Sequence, residues 1–244
     1  QRLIPALVFL ALSTAVAAGG TRGKVVHDGV RYDVYRCAPD ELRVFWKNDA
    51  GESHGNFARL HADLARKGER LVFAMNGGIF EPEGAPSGLH IEDGRELHPL
   101  NRADGEGNFF LKPNGVFFIE GKTARILETD EYARANATPR LAVQSGPLLL
   151  RAGRTHPAFR PDSKNRLHRN GVGILPDGSV IFAITEFDLE NGVNLHRFAE
   201  FFRAQGCEDA LFLDGDLSLM WTPEDGPPKP INNLGAIFGV TERD

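Results

Sequence analysis

The sequence is poor in the residues that mark several large classes of protein. Only two of its 244 residues are cysteines, and no Cys/His spacing resembles a zinc site. It contains neither a glycine-rich phosphate loop nor a carboxylate-rich cluster for two metal ions, which disfavours a general phosphatase or nuclease. A net charge of −5 and a pI near 5.9 argue against nucleic acid as a partner. The residues require no metal and no organic cofactor.

Long apolar runs are also missing, except at the N-terminus. Residues 3–18 are almost wholly apolar, with Arg2 before them and small residues at their end. This order is typical of a secretory signal peptide, here residues 1–20, with cleavage after Ala17 or Ala18. The run of about 16 residues is short for a spanning helix, which needs about 20. We therefore expect an exported, periplasmic or extracellular protein with no membrane span after signal removal; a retained N-terminal anchor is the alternative.

The two cysteines, Cys37 and Cys207, both lie in the part that would be exported. An oxidising compartment favours pairing of an even number of cysteines, so the sequence predicts a Cys37–Cys207 disulfide. Two buried free thiols are the alternative.

The composition is that of a soluble globular protein, with 41% hydrophobic and 25% charged residues. Most apolar segments are short, as strands are, and residues 31–36 and 42–46 are expected to form a first hairpin. Asn56 and Asn194 each precede an amphipathic helical pattern and are expected to be N-caps. No internal repeat or long linker divides the chain. We expect one α+β domain over residues 21–244, with a strand-rich mixed sheet core and a few flanking helices.

Polar residues next to glycine occur where four predicted strands begin or end. If these loops gather at one rim of a sheet, they surround a polar ligand with amides, hydroxyls and backbone N–H groups. Each junction alone is also compatible with an ordinary turn. The substrate-binding residues predicted from three of these junctions are Asn76, Gly77, Gly78, Gln144, Ser145, Gly146 and Ser218.

Two carboxylates are the predicted catalytic groups. Asp214 follows four apolar residues and precedes Gly215, so it is expected to be half-buried at the end of a strand. There it would activate water as a general base or stabilise positive charge on a substrate. Glu186 follows another apolar run in the same way and is the second choice.

The charge of the sequence changes sign sharply between residues 151 and 169, where basic residues surround a single acid. Arginine binds phosphate or carboxylate oxygens with paired donors, so Arg160, Arg166 and Arg169 are the predicted anion-binding residues. A solvated basic loop is the alternative.

Six short motifs follow one another along the chain. They are Asn76-Gly77-Gly78-Ile79-Phe80, Gly107-Asn108-Phe109-Phe110, Gln144-Ser145-Gly146-Pro147-Leu148, His156-Pro157-Ala158-Phe159, Arg169-Asn170-Gly171-Val172-Gly173 and Leu213-Asp214-Gly215. Their order resembles the bacterial branch of the phosphodiester glycosidase family, which implies an α+β fold and a site at these motifs. The chain departs from the family pattern after Gly215, where Asp216 and Leu217 precede Ser218. An added carboxylate at Asp216 would repel a phosphate.

The resemblance implies hydrolysis of a sugar-1-phosphodiester between the anomeric carbon and the phosphate oxygen. A phosphomonoester is already a good leaving group, so such a site needs cationic stabilisation of the phosphate more than proton donation. The expected partner is a carbohydrate or glycan phosphodiester. The alternative is a non-catalytic envelope module that binds anionic glycans without releasing a product.

Overall fold

Short strands dominate the secondary structure. The computed structural model describes residues 19–82, 84–188, 191–215, 217–231 and 233–243. The strands are β1 Thr21–His27, β2 Val30–Cys37, β3 Leu42–Phe45, β4 Glu69–Asn76, β5 His90–Glu92, β6 Arg95–His98, β7 Gly115–Glu120, β8 Thr123–Glu128, β9 Leu141–Ser145, β10 Leu148–Arg151, β11 Arg154–Thr155, β12 Asn170–Ile174, β13 Val180–Thr185, β14 Ala210–Asp214, β15 Met220–Trp221 and β16 Ile237–Arg243. The α-helices are α1 Phe57–Arg66, α2 Thr129–Arg134 and α3 Leu195–Ala204.

The two longer helices, α1 and α3, begin where the sequence predicts. The Asn56 Oδ1 atom accepts a hydrogen bond from the Arg59 N–H at 2.9 Å, and the Asn194 Oδ1 atom accepts one from the Arg197 N–H at 2.9 Å. Each bond satisfies one of the backbone donors left free in a first helical turn. Both predicted N-caps are confirmed.

The strands form three sheets in which every described pairing is antiparallel. The strand orders are β1-β2-β13-β12-β14-β10-β11, β15-β4-β16-β3 and β6-β5-β9-β7-β8. Alternate side chains along a strand point to opposite faces of its sheet. One face of the seven-stranded sheet therefore contributes Phe182 to a core with Phe73, Phe117 and Phe238 of the other two sheets. The opposite face packs against α3.

The predicted fold class, one α+β domain with strands in the majority, is confirmed. The core differs from the expected mixed sheet, because the described strands divide among three antiparallel sheets. The predicted first hairpin is also wrong. β2 pairs with β1 and β13, whereas β3 pairs with β16 in a different sheet, so the turn at residues 39–41 carries the chain from one sheet to another.

The predicted disulfide is wrong, because both cysteines are free and buried. Cys37 lies in the core between the sheets, with Val172 and Phe182, whereas Cys207 lies on the α3 side, under Gly173. The seven-stranded sheet separates the two sulfur atoms. Burial raises the pKa of both thiols, that of Cys207 to about 12, so both are held as neutral apolar groups.

The predicted signal peptide falls almost entirely outside the described residues, of which only Gly19 and Gly20 belong to it. It stays a prediction. Among the helices of the described residues, none is both long and apolar enough to cross a membrane.

Candidate active site

The centre of the candidate site is a contact between Asn76 and Asp214. The Asn76 Nδ2 atom, at the end of β4, donates a hydrogen bond of 2.6 Å to Asp214 Oδ2, at the end of β14. Asn76 is 1% exposed. Its Oδ1 atom accepts from the Leu219 N–H at 2.7 Å and from Asn170 Nδ2 at 3.0 Å. Because the carboxylate accepts and these N–H groups donate, the amide has one favourable orientation, which positions the Asp214 carboxylate.

Asp214 lies where the chain passes from one sheet to another. β14 belongs to the seven-stranded sheet, and β15, which follows it, pairs with β4 in the four-stranded sheet. Asn170, the first residue of β12, is the cross-strand neighbour of Asp214, and the register shifts directly after this pair. This irregularity lets the carboxylate turn towards Asn76 instead of following the pleat. Asp214 is half-buried, as its position after an apolar strand predicts.

A tight turn follows Asp214. The Gly215 N–H donates to Asp214 Oδ1 at 2.7 Å, and the Gly215 carbonyl accepts from the Ser218 N–H at 2.9 Å and from the Ser218 Oγ at 2.5 Å. The buried Ser218 hydroxyl therefore closes this turn. Asp216, which departs from the family pattern, lies outside the described residues, so the expected repulsion of phosphate there stays a prediction.

His168 ties this turn to the neighbouring strands. Its Nε2 atom lies 3.0 Å from the Ser218 carbonyl oxygen, and its Nδ1 atom lies 2.8 Å from Thr185 Oγ1. A carbonyl oxygen only accepts, so Nε2 carries a proton. Thr185 Oγ1 also accepts from the Arg169 N–H at 3.1 Å. Asn76 accepts a hydrogen bond from the Leu219 N–H, and His168 bonds the Ser218 carbonyl, so two consecutive residues before β15 are held in place.

The two predicted glycines after Asn76 are required by the protein's own packing. A Cβ atom on Gly77 would lie 2.2 Å from the Phe238 ring, and one on Gly78 would lie 2.8 Å from Val143. Gly78 also has a φ of +89°, in the left-handed region that favours glycine. The backbone thus passes close to the core on its way out of β4. Ligand binding by these glycines stays a prediction.

The second predicted motif, at residues 144–146, makes internal contacts in the same region. Gln144 is 2% exposed, and its Oε1 atom accepts from the N–H groups of Leu89 and Asn101 at 3.0 and 2.9 Å. The Ser145 hydroxyl donates to the Leu213 carbonyl at 3.2 Å, one residue before Asp214. A Cβ atom on Gly146 would lie 2.6 Å from another side chain. These contacts hold the loop after β6 and the end of β14. The motif therefore helps to fix the position of Asp214.

The predicted anion-binding arginines divide into one buried and two exposed side chains. Arg169 is fully buried: its Nε atom donates to the Val193 carbonyl at 2.8 Å, and its guanidinium lies 5.5 Å from the centroid of the Phe212 ring. Arg160 and Arg166 are exposed. A cavity of about 120 Å³ is lined by Arg160 and Arg169 together with Ser163, Asn165, His196 and four apolar residues. The structure thus brings Arg160 and Arg169 to one concave surface, which does not include Arg166.

Glu186, the second predicted carboxylate, is engaged in ion pairs on the outer part of the seven-stranded sheet. Lys24 Nζ and Arg31 Nε each lie 2.6 Å from its oxygens. Hydrogen bonds from Lys24 and Arg31 hold the pKa of Glu186 below its ordinary value. It would therefore act only as an anion, and its described partners do not include Asp214 or Asn76. Its catalytic role stays a prediction with weaker support than that of Asp214.

Asn170, His168 and Thr185 belong to the candidate site but are not among the residues that the sequence predicts. In this segment the charge of Arg169 favours it over its neighbours as a binding residue. Consecutive residues of a strand point to opposite faces, so the side chain of Asn170 contacts Asn76 while Arg169 packs on the α3 side. The alternation of side chains along a strand is therefore the sequence signal that separates Asn170 from Arg169. Within the described residues, no group of three or more His, Cys, Asp or Glu residues is arranged to hold a metal ion.

Three antiparallel sheets with a half-buried carboxylate at the junction of two of them define an α+β protein with a polar candidate site. A sequence model of the family described as phosphodiester glycosidase matches residues 69–234. An Escherichia coli K12 protein, YigE, described as uncharacterized, is 36% identical over 183 residues, which are 75% of this chain and 70% of that protein. The chain belongs to the phosphodiester glycosidase family, and the predicted class of glycosidase-type enzyme is confirmed.

Two solved structures share the fold. The catalytic domain of zebrafish N-acetylglucosamine-1-phosphodiester alpha-N-acetylglucosaminidase, auto-inhibited by its pro-peptide, matches with a TM-score of 0.63 and 17% identity over 92% of this chain and 82% of that one. A Burkholderia pseudomallei K96243 protein described as exported matches with a TM-score of 0.53 and 12% identity, over 86% of this chain and 74% of that one. At these identities the likeness shows the fold alone.

Proposed function

We propose that the protein hydrolyses a sugar-1-phosphodiester and releases a sugar and a phosphomonoester. The observation that carries the proposal is the Asp214 carboxylate, half-buried at the junction of two sheets and held there by Asn76 in a chain of this family. The zebrafish structural relative is named for action on an N-acetylglucosamine-1-phosphodiester.

In the proposed reaction, the bond between the anomeric carbon and the phosphate oxygen breaks, and the phosphate leaves with the electron pair. Asp214 stabilises the positive charge that develops at the anomeric carbon, or removes a proton from the water that adds there. Asn76 fixes the direction of the carboxylate through its hydrogen bond to Oδ2. Restricting the carboxylate to one orientation lowers the cost of reaching the reactive geometry.

The leaving phosphate is assigned to the cavity that Arg160 and Arg169 line. A guanidinium group offers several donors to phosphate oxygens, so it stabilises the charge on the departing group without proton transfer. Arg166, the third predicted arginine, lies between these two in the sequence and is exposed. The proposal further includes export, with residues 1–20 as the signal peptide, because the substrate would be a glycan of the cell envelope or its surroundings.

The test is release of phosphomonoester from a sugar-1-phosphodiester, followed by phosphorus NMR. Asp214→Asn should lower kcat on the order of 10² to 10⁴-fold and should still fold, with a loss of about 1–3 kcal/mol because its new NH2 group faces a donor, either Asn76 Nδ2 or the Gly215 N–H. Asp209→Asn, just before the opposite end of β14, is the matched control and should retain turnover. Near-normal turnover by Asp214→Asn would remove this carboxylate from the mechanism. Saturable binding by the wild type without any product would support the non-catalytic module instead.

A further inference from the structure

Two large apolar side chains are exposed beside the candidate active site. Among the residues that the structure describes, the exposed large hydrophobic side chains are Val26, Phe187, Leu217 and Ile231, with Phe187 the most exposed at 81%. Single exposed apolar residues are common on protein surfaces, but apolar surface next to a polar site is typical of ligand binding. Phe187 meets the His168 ring edge to face, with centroids 5.5 Å apart. Leu217 directly precedes Ser218, whose carbonyl faces the same imidazole.

The topology of the sheet gives the distance between this apolar patch, Phe187 with Leu217, and the carboxylate. β12 lies between β13 and β14, and Asn170 pairs with both Ile184 and Asp214. The backbone of Ile184 is therefore about two strand spacings, or about 10 Å, from that of Asp214, and Phe187 follows three residues later, which places its backbone about 14 Å from that of Asp214. This span accommodates one sugar ring with its anomeric carbon at the carboxylate.

The apolar patch and the arginine cavity lie on different faces of the segment that leads into β12. Arg169, which lines the cavity, packs on the α3 side against Phe212. Consecutive residues point to opposite faces, and the neighbours of Arg169 accordingly face the other way: His168 contacts Phe187, and Asn170 contacts Asn76. A substrate with its phosphate at the arginines therefore extends its sugar, and not its alcohol group, towards Phe187.

We propose that Phe187 stacks on the C–H face of the substrate's sugar ring and that Leu217 extends this contact. The inference rests on the proposed function and adds a residue that determines sugar binding. The faces of a sugar ring carry C–H groups, and the face of an aromatic ring carries partial negative charge, so the two attract each other while both shed water. Loss of such a contact weakens binding by about tenfold.

The experiment compares the wild type with Phe187→Ala on the methyl and octyl esters of one sugar-1-phosphate. We expect kcat/KM to fall by about tenfold on both esters, chiefly through KM. Inhibition by the free sugar should weaken by a similar factor, whereas inhibition by inorganic phosphate should be unchanged. Phe187→Tyr, which keeps the ring, should behave as the wild type. Val26→Ala removes another exposed apolar side chain, on β1, and should also retain full activity.

The wild-type measurement tests the proposed function separately from this inference. If the wild type hydrolyses the esters and Phe187→Ala has unchanged KM and unchanged inhibition by the sugar, the stacking contact is refuted. A loss confined to the octyl ester would assign Phe187 to the alcohol group and likewise overturn the sugar contact. If the wild type releases no product, calorimetric titration of the free sugar into both proteins tests the contact instead. A Kd about tenfold higher for Phe187→Ala supports the contact, and an equal Kd refutes it.

Discussion

Replacing Asn76 by aspartate would place a second carboxyl group against Asp214. The Asn76 Nδ2 atom lies 2.6 Å from Asp214 Oδ2, and the site is buried. In Asn76→Asp an oxygen takes the place of the donor, so two acceptors face each other. One of the two carboxyl groups must then bind a proton, because a shared proton restores one donor between them.

The cost of this change follows from the distance between the two groups. Two charges 2.6 Å apart repel each other by about 6 kcal/mol at an effective dielectric constant of about 20. Protonating one carboxyl group avoids this repulsion at a cost of about 1.4 kcal/mol for each pH unit above its ordinary pKa of about 3.9. The variant should therefore lose about 4 kcal/mol of stability at pH 7 and about 1.5 kcal/mol at pH 5.

Thermal unfolding of the wild type and Asn76→Asp at several pH values between 5 and 8 measures this difference. At about 2–4 °C per kcal/mol for a chain of this size, the variant should melt about 8–16 °C below the wild type at pH 7 and about 3–6 °C below it at pH 5. Asn76→Ala removes the amide without adding charge, so its deficit should not depend on pH. A deficit of Asn76→Asp that is equal at both pH values would refute the contact between Asn76 and an ionised Asp214.

Two further predictions concern stability. Gly77→Ala should cost about 1–3 kcal/mol, because its Cβ atom would lie 2.2 Å from the Phe238 ring, whereas Gly23→Ala, which meets its nearest atom at 3.5 Å, should melt like the wild type; equal melting temperatures would contradict the packing at Gly77. Burial lowers the pKa of His54 and His156 below 6.5, so the unfolded chain binds their protons first, and the stability they contribute is complete above about pH 6.5 and declines as the pH falls. The melting temperature should therefore fall less steeply between pH 8 and pH 5 in the double variant His54→Gln/His156→Gln than in the wild type. An equal fall in both proteins would contradict this cause.

Features that depend on near neighbours in the chain could be predicted from the sequence. Asn56 and Asn194 act on backbone groups three residues away, so their role as N-caps is visible in the local pattern. The positions of Asn76 and Asp214 at strand ends follow from apolar runs that stop at a polar residue and glycine. Such local signals located the candidate site and the class of fold.

Features that depend on distant partners could not be predicted in the same way. β2 and β3 are adjacent in the chain but pair in different sheets, since pairing is decided by strands that lie far away in sequence. The even number of cysteines carried no information about which face of a sheet each one occupies. The charge of Glu186 suggested chemistry, whereas its surroundings, Lys24 and Arg31, come from the first two strands of the domain.

The passage of the chain from β14 to β15 has a consequence for redesign of this enzyme. Asp214 is the last residue of β14 in one sheet, and the next strand, β15, pairs with β4 in a second sheet, so the carboxylate is anchored to both. An insertion there would change the spacing of the two sheets and the aim of the carboxylate together. The loop after β13 is held by Asp188 and Asn191 to Arg31 of β2, within the same sheet, and it carries Phe187 with 81% of its surface exposed. New substrate preferences should therefore be sought in that loop, with the β14–β15 connection kept at its natural length.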